Sequence, residues 1–271
     1  MRAEFGGSRA AIIVVPLVDF QQALVRALRP QTGIEASRCF EADEGTKFAE
    51  VIDSEGFRFT TAVQRSWCLG RASKGARLTL SILPCDLARR LLESWVKLGG
   101  GTSSFFAAEA DAFLDYIAAR LPEPSHALTI CRVEQATLRA SNGLLEWTGP
   151  GIQSDIEPGC WLRRSRHAAL VPFFQEPSKV LAALEGGTLP PLLGATSWVL
   201  FAPGIGGLFR LSTDVERGLW QRLSVPARFS ALLAEGYCRA ELKDLLECGA
   251  LELASPIKPD QKGNSLEMVS R

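Results

Sequence analysis

Histidine is almost missing from this sequence: only His126 and His167 occur, 41 residues apart and with no carboxylate at ligand spacing. A zinc or di-iron centre needs several nitrogen, oxygen or sulfur donors converging, so no metal site and no cofactor of its own is expected in this chain. Each histidine reads as a capping or surface residue. A C-x-x-C pair is also missing. The seven cysteines (Cys39, Cys68, Cys85, Cys131, Cys160, Cys238 and Cys248) are odd in number and scattered, which suits small buried apolar residues in a reducing compartment. Neither sign of charge is in excess, since thirty basic residues balance thirty acidic ones without any long like-charged block. That lacks the footprint of a nucleic-acid binder. Long apolar runs are missing too: Ala10 to Val18 spans only nine residues, contains Pro16 and meets Asp19 at once. It is far too short for a membrane span. No small-residue cleavage site follows it, so a cytoplasmic location is expected.

What is present suits an ordinary globular protein, with 46% apolar against 22% charged residues. At 271 residues, two domains or one domain with a large appendage are expected. Residues 1–141 read as helices joined by short breaks. Phe20, Leu24 and Leu28 mark a helix over Asp19 to Leu28 that Pro30 stops, and Leu87, Leu91, Trp95 and Leu98 mark another, ended by Gly99 to Gly101. Ser103 or Ser104 is placed to cap a third, carrying Phe106, Ala110, Phe113 and Ile117.

A fourth helix is predicted from about His126 to Ala140, and its apolar positions Ala127, Cys131 and Leu138 leave Glu134 on the same stripe. A carboxylate there needs a partner, because an unpaired buried charge is costly. Arg132, Arg139 or an arginine of a neighbouring helix is the expected one, and Arg132 with Glu134 is the structural ion pair we expect. The functional alternative makes Glu134 a general base or metal ligand.

Past Ser141 the texture changes. Asn142-Gly143, Gly149-Pro150-Gly151 and Pro158-Gly159 are turn signals, so residues 142–194 are expected to be a linker with short strands. It includes a hairpin-like excursion over Leu144 to Trp147, a strand over His167 to Phe174 and a short helix over Glu176 to Leu184. Trp198 to Ala202 and Leu208 to Ser212 then read as strands joined by P-G-I-G-G, a hairpin signal. Three short helices follow, one capped by Ser212 or Thr213, one opened by Pro226 and one over Ala240 to Cys248 that Gly249 terminates before Leu251 to Leu253.

Strands followed by three short helices are the layout of a winged helix. The expected fold class is therefore α+β: an N-terminal helical domain (1–141), then a winged-helix domain over residues 195–257 and a disordered tail over 258–271. Winged helices commonly bind DNA, but the third helix, R-A-E-L-K-D-L-L-E-C, carries net negative charge, which argues against a DNA groove. The other common use of this fold accepts a peptide as an added strand on its sheet edge.

The stretch L-F-A-P-G-I-G-G-L-F-R-L-S through R-A-E-L-K-D-L-L-E-C-G-A-L-E-L, roughly residues 195–253, resembles the recognition elements (RRE-like modules) that bind leader peptides in ribosomally made, post-translationally modified peptide pathways. The helical half, with L-P-C-D-L-A-R-R-L-L-E-S-W, G-G-G-T-S-S-F-F-A-A-E-A-D-A-F-L and P-S-H-A-L-T-I-C-R-V-E-Q-A-T-L-R-A, is similar to the partner subunits of multinuclear iron oxidases of the methanobactin-synthase type. Within that group it looks most like the partner of the 3-thiaglutamate pathway. The resemblance implies a heterodimer with a TIM-barrel iron oxidase that modifies a cysteine of a precursor peptide, with iron in that partner and none here. It places leader binding on Leu208, Phe209, Arg210, Leu211 and Ser212 and on the third helix, where Leu242, Leu245 and Leu246 are the expected apolar contacts. Whether Phe209 and Leu211, or Leu208 and Arg210, turn their N–H groups to the open edge is left undecided by the sequence. A transcription regulator and a stand-alone enzyme using a cysteine such as Cys131 are the other readings.

Overall fold

The computed structural model describes residues 49–101, 106–147, 149, 156–194 and 197–254. The expected helix over Asp19 to Leu28, the Ser103 or Ser104 cap and the tail beyond residue 257 lie outside the described residues. The chain is α+β and divides into two compact units, Met1–Gly70 with Arg90–Thr102 and Arg71–Arg89 with Ser103–Arg271. Its first elements are helices α1 (Glu55–Gly75), α2 (Arg77–Ile82) and α3 (Cys85–Lys97). In the first unit Cys68, Leu91 and Val96 are buried, and the Cys68 thiol donates to the Gly101 carbonyl at 3.3 Å. Gly99 and Gly101 both take positive φ, 84° and 82°, where glycine costs nothing, and α3 ends just before them.

The second unit pairs α4 (Phe106–Ala118) with α5 (His126–Glu146). Phe113, Leu114 and Ile117 of α4 are buried, as is Cys131 of α5, whose thiol donates to the Leu114 carbonyl at 3.3 Å. Ser125 caps α5 by accepting the Leu128 N–H at 3.1 Å. Arg139 on α5 reaches back to Asp111 and Asp115 on α4, at 2.7 and 3.3 Å. Helix α5 does not stop at Ala140 but runs on through Asn142-Gly143 to Glu146, so Leu144 to Glu146 is helical and the expected hairpin-like excursion is absent there. The glycine serves packing instead of a turn. A Cβ at Gly143 would stand 2.6 Å from the Pro203 ring and 2.7 Å from His167 Cβ.

The remaining elements are β1 (Trp161–Arg164), β2 (Ala169–Phe173), α6 (Pro177–Ala183), β3 (Ser197–Phe201), β4 (Phe209–Leu211), α7 (Asp214–Arg222), β5 (Ala227–Arg228), α8 (Phe229–Ala234), α9 (Arg239–Glu247) and β6 (Leu251–Ala254). They form two antiparallel three-stranded sheets, in the orders β5-β1-β6 and β2-β3-β4. Both strands β1 and β2 come from the segment expected to be a linker. They pair with C-terminal strands because Leu162, Val171 and Phe173 are apolar side chains that those sheets bury.

Strand β3 is central, and its unbroken apolar run follows from burial on both faces. Val199 and Phe201 face α5 with Ile130, Val133, Val171 and Phe173, whereas Leu200 and Ala202 join Leu219, Leu232, Leu242 and Leu245 of α7 to α9. Thr213 caps α7 through a reciprocal box: its hydroxyl accepts the Glu216 N–H at 3.2 Å, and Glu216 accepts the Thr213 N–H at 2.8 Å. The second of the three helices starts at Phe229 instead of Pro226, because Ala227 and Arg228 pair with β1 first. Among the described residues no helix is long and apolar enough to cross a membrane.

Candidate functional site

Strand β4 is the outer strand of its sheet, and the register of the ladder fixes which of its backbone groups are open. The Ser212 N–H donates to the Trp198 carbonyl at 2.8 Å, the Ala202 N–H donates to the Leu208 carbonyl at 3.0 Å, and Arg210 lies opposite Leu200. Antiparallel pairs alternate between hydrogen-bonded and non-hydrogen-bonded. Arg210 and Ser212 therefore turn their backbone groups inward to β3, and Leu208 its carbonyl. Phe209 and Leu211 turn theirs outward, and no described residue hydrogen-bonds to them. This resolves the alternation that the sequence leaves undecided. Leu208 itself lies outside the strand, at φ 72°, a left-handed conformation rare for a branched side chain, where the hairpin closes through its N–H to the Ile205 carbonyl at 2.8 Å.

The side chains of β4 follow the same alternation. Phe209 packs against Phe201 on the α5 face, with ring centroids 5.5 Å apart and planes tilted by 36°, yet is 49% exposed, and Leu211 beside it is 65% exposed. Arg210 points the other way, toward the helices. Its guanidinium meets Glu216 of α7 at 2.5 Å and Asp244 of α9 at 2.8 Å. The hydrogen bond that Arg210 donates to Glu216 raises the Arg210 pKa above its usual value, against the pull of burial. Burial opposes ionisation of Glu216, but the Arg210 bond and the Thr213 N–H outweigh it and hold that carboxyl below the ordinary range. Sequence reasoning did not single out Glu216 or Asp244. The signal was an arginine on the inward-facing parity of a half-buried strand, which requires a carboxylate partner.

Helix α9 differs in part from the expectation. Leu242 and Leu245 are 0% and 2% exposed and belong to the core under β3, so they offer no surface to a peptide. Leu246 is half-buried and opens onto a cavity on another side of α9. The side chain that α9 does present to β4 is Asp244.

The expected Arg132–Glu134 ion pair does not form. Residues two apart on a helix lie on nearly opposite sides, so the two side chains diverge. Arg132 pairs with Glu123 at 3.0 Å. Glu134 accepts the Leu78 N–H at 2.7 Å, the Thr79 N–H at 2.8 Å and the Thr79 hydroxyl at 2.6 Å, and so caps the start of α2 from another helix. Cys131 is fully buried, and burial, followed by the nearby Glu134 charge, pushes its thiol up to about 12. A thiol held protonated in this way is a poor nucleophile.

A cavity of about 710 Å³ opens between the end of α5, β1, β6 and α9. Trp147, Pro203 and Leu246 give it an apolar wall, and Glu146, Arg166 and His167 a charged one. The His167 Nδ1–H donates to the Arg139 carbonyl at 3.2 Å, and Nε2 lies 3.0 Å from Arg166 Nε and 3.1 Å from Glu146 Oε2. Hydrogen bonds from Arg166 and then His167 lower the Glu146 pKa. His126 is buried at the start of α5 and donates from Nε2 to the Pro190 carbonyl at 2.8 Å. Among the described residues no group of three or more His, Cys, Asp or Glu side chains converges as a metal site. No family model matches this chain, and no curated protein matches it.

Proposed function

We propose that this chain is a leader-peptide-binding accessory subunit, which delivers a ribosomally made precursor peptide to a separate TIM-barrel multinuclear iron oxidase that modifies a peptide cysteine, in the manner of 3-thiaglutamate-type biosynthesis. The iron belongs to that partner, and this chain contributes recognition. The observation that carries the reading is the outer strand β4, with the N–H and C=O groups of Phe209 and Leu211 unpaired and α9 beside it through the Arg210–Asp244 contact. A three-stranded antiparallel sheet followed by α7, α8 and α9 supports the winged-helix assignment, and such a sheet edge takes a peptide by strand addition. The resemblance of residues 195–253 to leader recognition elements supports the same use. DNA binding is disfavoured by α9, whose exposed surface carries Asp244 and Glu247 beside Arg239 and Lys243.

The test uses proline, which removes one backbone N–H. Leu211→Pro deletes an outward N–H and is tolerable on an edge strand, whereas Arg210→Pro deletes one that faces β3. Titrated with a dye-labelled leader peptide of the precursor, folded Leu211→Pro is expected to lose binding, and Arg210→Pro to lose stability. A folded Leu211→Pro protein that binds the leader as tightly as the parent overturns the reading.

A further inference from the structure

The two faces of β4 differ in chemistry, and an added strand must share them. A residue placed opposite Arg210 projects to the helix side, and its two neighbours project to the side of Phe209 and Leu211. On the latter face the strand offers two large, exposed apolar side chains, at 49% and 65% exposure. On the former it offers Arg210, Glu216 and Asp244, whose charges sum to one negative. That residual charge is not shared evenly. Glu216 is nearly buried, at 10% exposure, and meets the guanidinium at 2.5 Å, so Arg210 is neutralised from within; Asp244 is 65% exposed and faces solvent at the edge of the strand.

Resting on the peptide-binding reading above, we infer that the segment this edge selects is an extended apolar–basic–apolar triplet. Its apolar side chains lie against Phe209 and Leu211, and its lysine or arginine pairs with Asp244. The outward groups of Phe209 and Leu211 supply the main-chain bonds, which any peptide can make. Discrimination comes from the two faces, and Asp244 is the specificity-determining residue. A glutamate at the centre of the triplet meets the exposed carboxylate of a cluster that carries one net negative charge, and like charges across a strand pair are unfavourable.

Three dye-labelled synthetic peptides with one serine and threonine flank and the centres Leu-Lys-Leu, Leu-Ala-Leu and Leu-Glu-Leu test this by fluorescence anisotropy at low salt on the full chain. The lysine peptide is expected to bind about fivefold tighter than the glutamate peptide, with alanine between them. Asp244→Lys, a change at an exposed position, is expected to reverse that order. Equal affinities on the parent, an unchanged order on Asp244→Lys, or no binding by the lysine peptide each overturn the inference. Those results leave the peptide-binding reading to the leader titration with Leu211→Pro, so the two fail separately.

Discussion

The carboxylate of Glu134 receives both the backbone N–H and the hydroxyl of Thr79, at 2.8 and 2.6 Å, across 55 residues of chain. With the Leu78 N–H as a third donor it satisfies the first turn of α2, which has no side-chain cap of its own at Ala76. A carboxylate at a helix start also meets the positive end of the helix dipole. The burial of this charge is thus met by amides and a hydroxyl, and no arginine is needed.

This relationship separates two variants that an ion pair would link. Glu134→Ala leaves buried donors unsatisfied and is expected to cost about 2 kcal/mol of stability, within the range of lost caps and buried hydrogen bonds. Arg132→Ala breaks only a partly exposed pair with Glu123 and is expected to cost under about 1 kcal/mol. Urea denaturation of both single variants and the double variant checks this. Additive costs agree with independent roles, and a coupling above about 1 kcal/mol would restore the direct pair.

The elements that the sequence made legible are those whose local signals agree with their tertiary setting. Thr213, one of the two cap positions that the sequence offers, caps α7, and Gly249, at φ 72°, ends α9 where a positive φ is needed. The apolar run of β3 is readable for the same reason, as both faces are buried. Gly143 misled because a helical glycine and a turn glycine look alike in one dimension; only the approach of Pro203 and His167 tells them apart. Helix α1 carries Phe59 and Trp67 at 70% and 67% exposure among polar residues, so its periodicity is weak. The site was half visible. Phe209 and Leu211 lie on the edge as the hairpin pattern implies, but Leu242 and Leu245 are apolar residues of the core, and Asp244 between them is the one that reaches the strand.

The lock between β4 and α7 is expected to weaken in acid. The Glu216 carboxyl is held below the ordinary range in the folded chain, so it binds its proton less readily there than in the unfolded chain, where carboxylates titrate near about 4.3. A depressed folded pKa gives stability that is present above the unfolded value and lost as pH falls through the folded one. The window for this loss therefore lies below about pH 4.3. Glu216→Gln removes that titration but keeps an acceptor for the Thr213 N–H. Amide exchange at Arg210 and Ser212, whose N–H groups face β3, followed from pH 6 to pH 3 in both proteins, is expected to show a loss of protection specific to the parent; parallel profiles would remove Glu216 as the cause.

Trp147 closes α5 and lies against a surface of small residues, and this contact gives a test of the cavity wall. A Cβ at Gly204 would stand 2.6 Å from Trp147 Cζ2 and 3.0 Å from the Cys248 carbonyl carbon, and one at Gly249 would stand 3.3 Å from Trp147 Nε1. The Gly204 N–H donates to the Cys248 carbonyl at 2.9 Å, so this backbone has little freedom to withdraw. Gly204→Ala is then expected to push the indole toward the cavity and destabilise the chain by about 1–3 kcal/mol, the usual cost of overpacking. Trp147→Ala removes the main obstacle. In that background Gly204→Ala is expected to cost at least about 1 kcal/mol less, a coupling of the size found between residues in direct contact. Chemical denaturation of the four proteins measures it. An equal cost in both backgrounds would assign the strain to the Cys248 backbone and leave the indole without a part in shaping the wall.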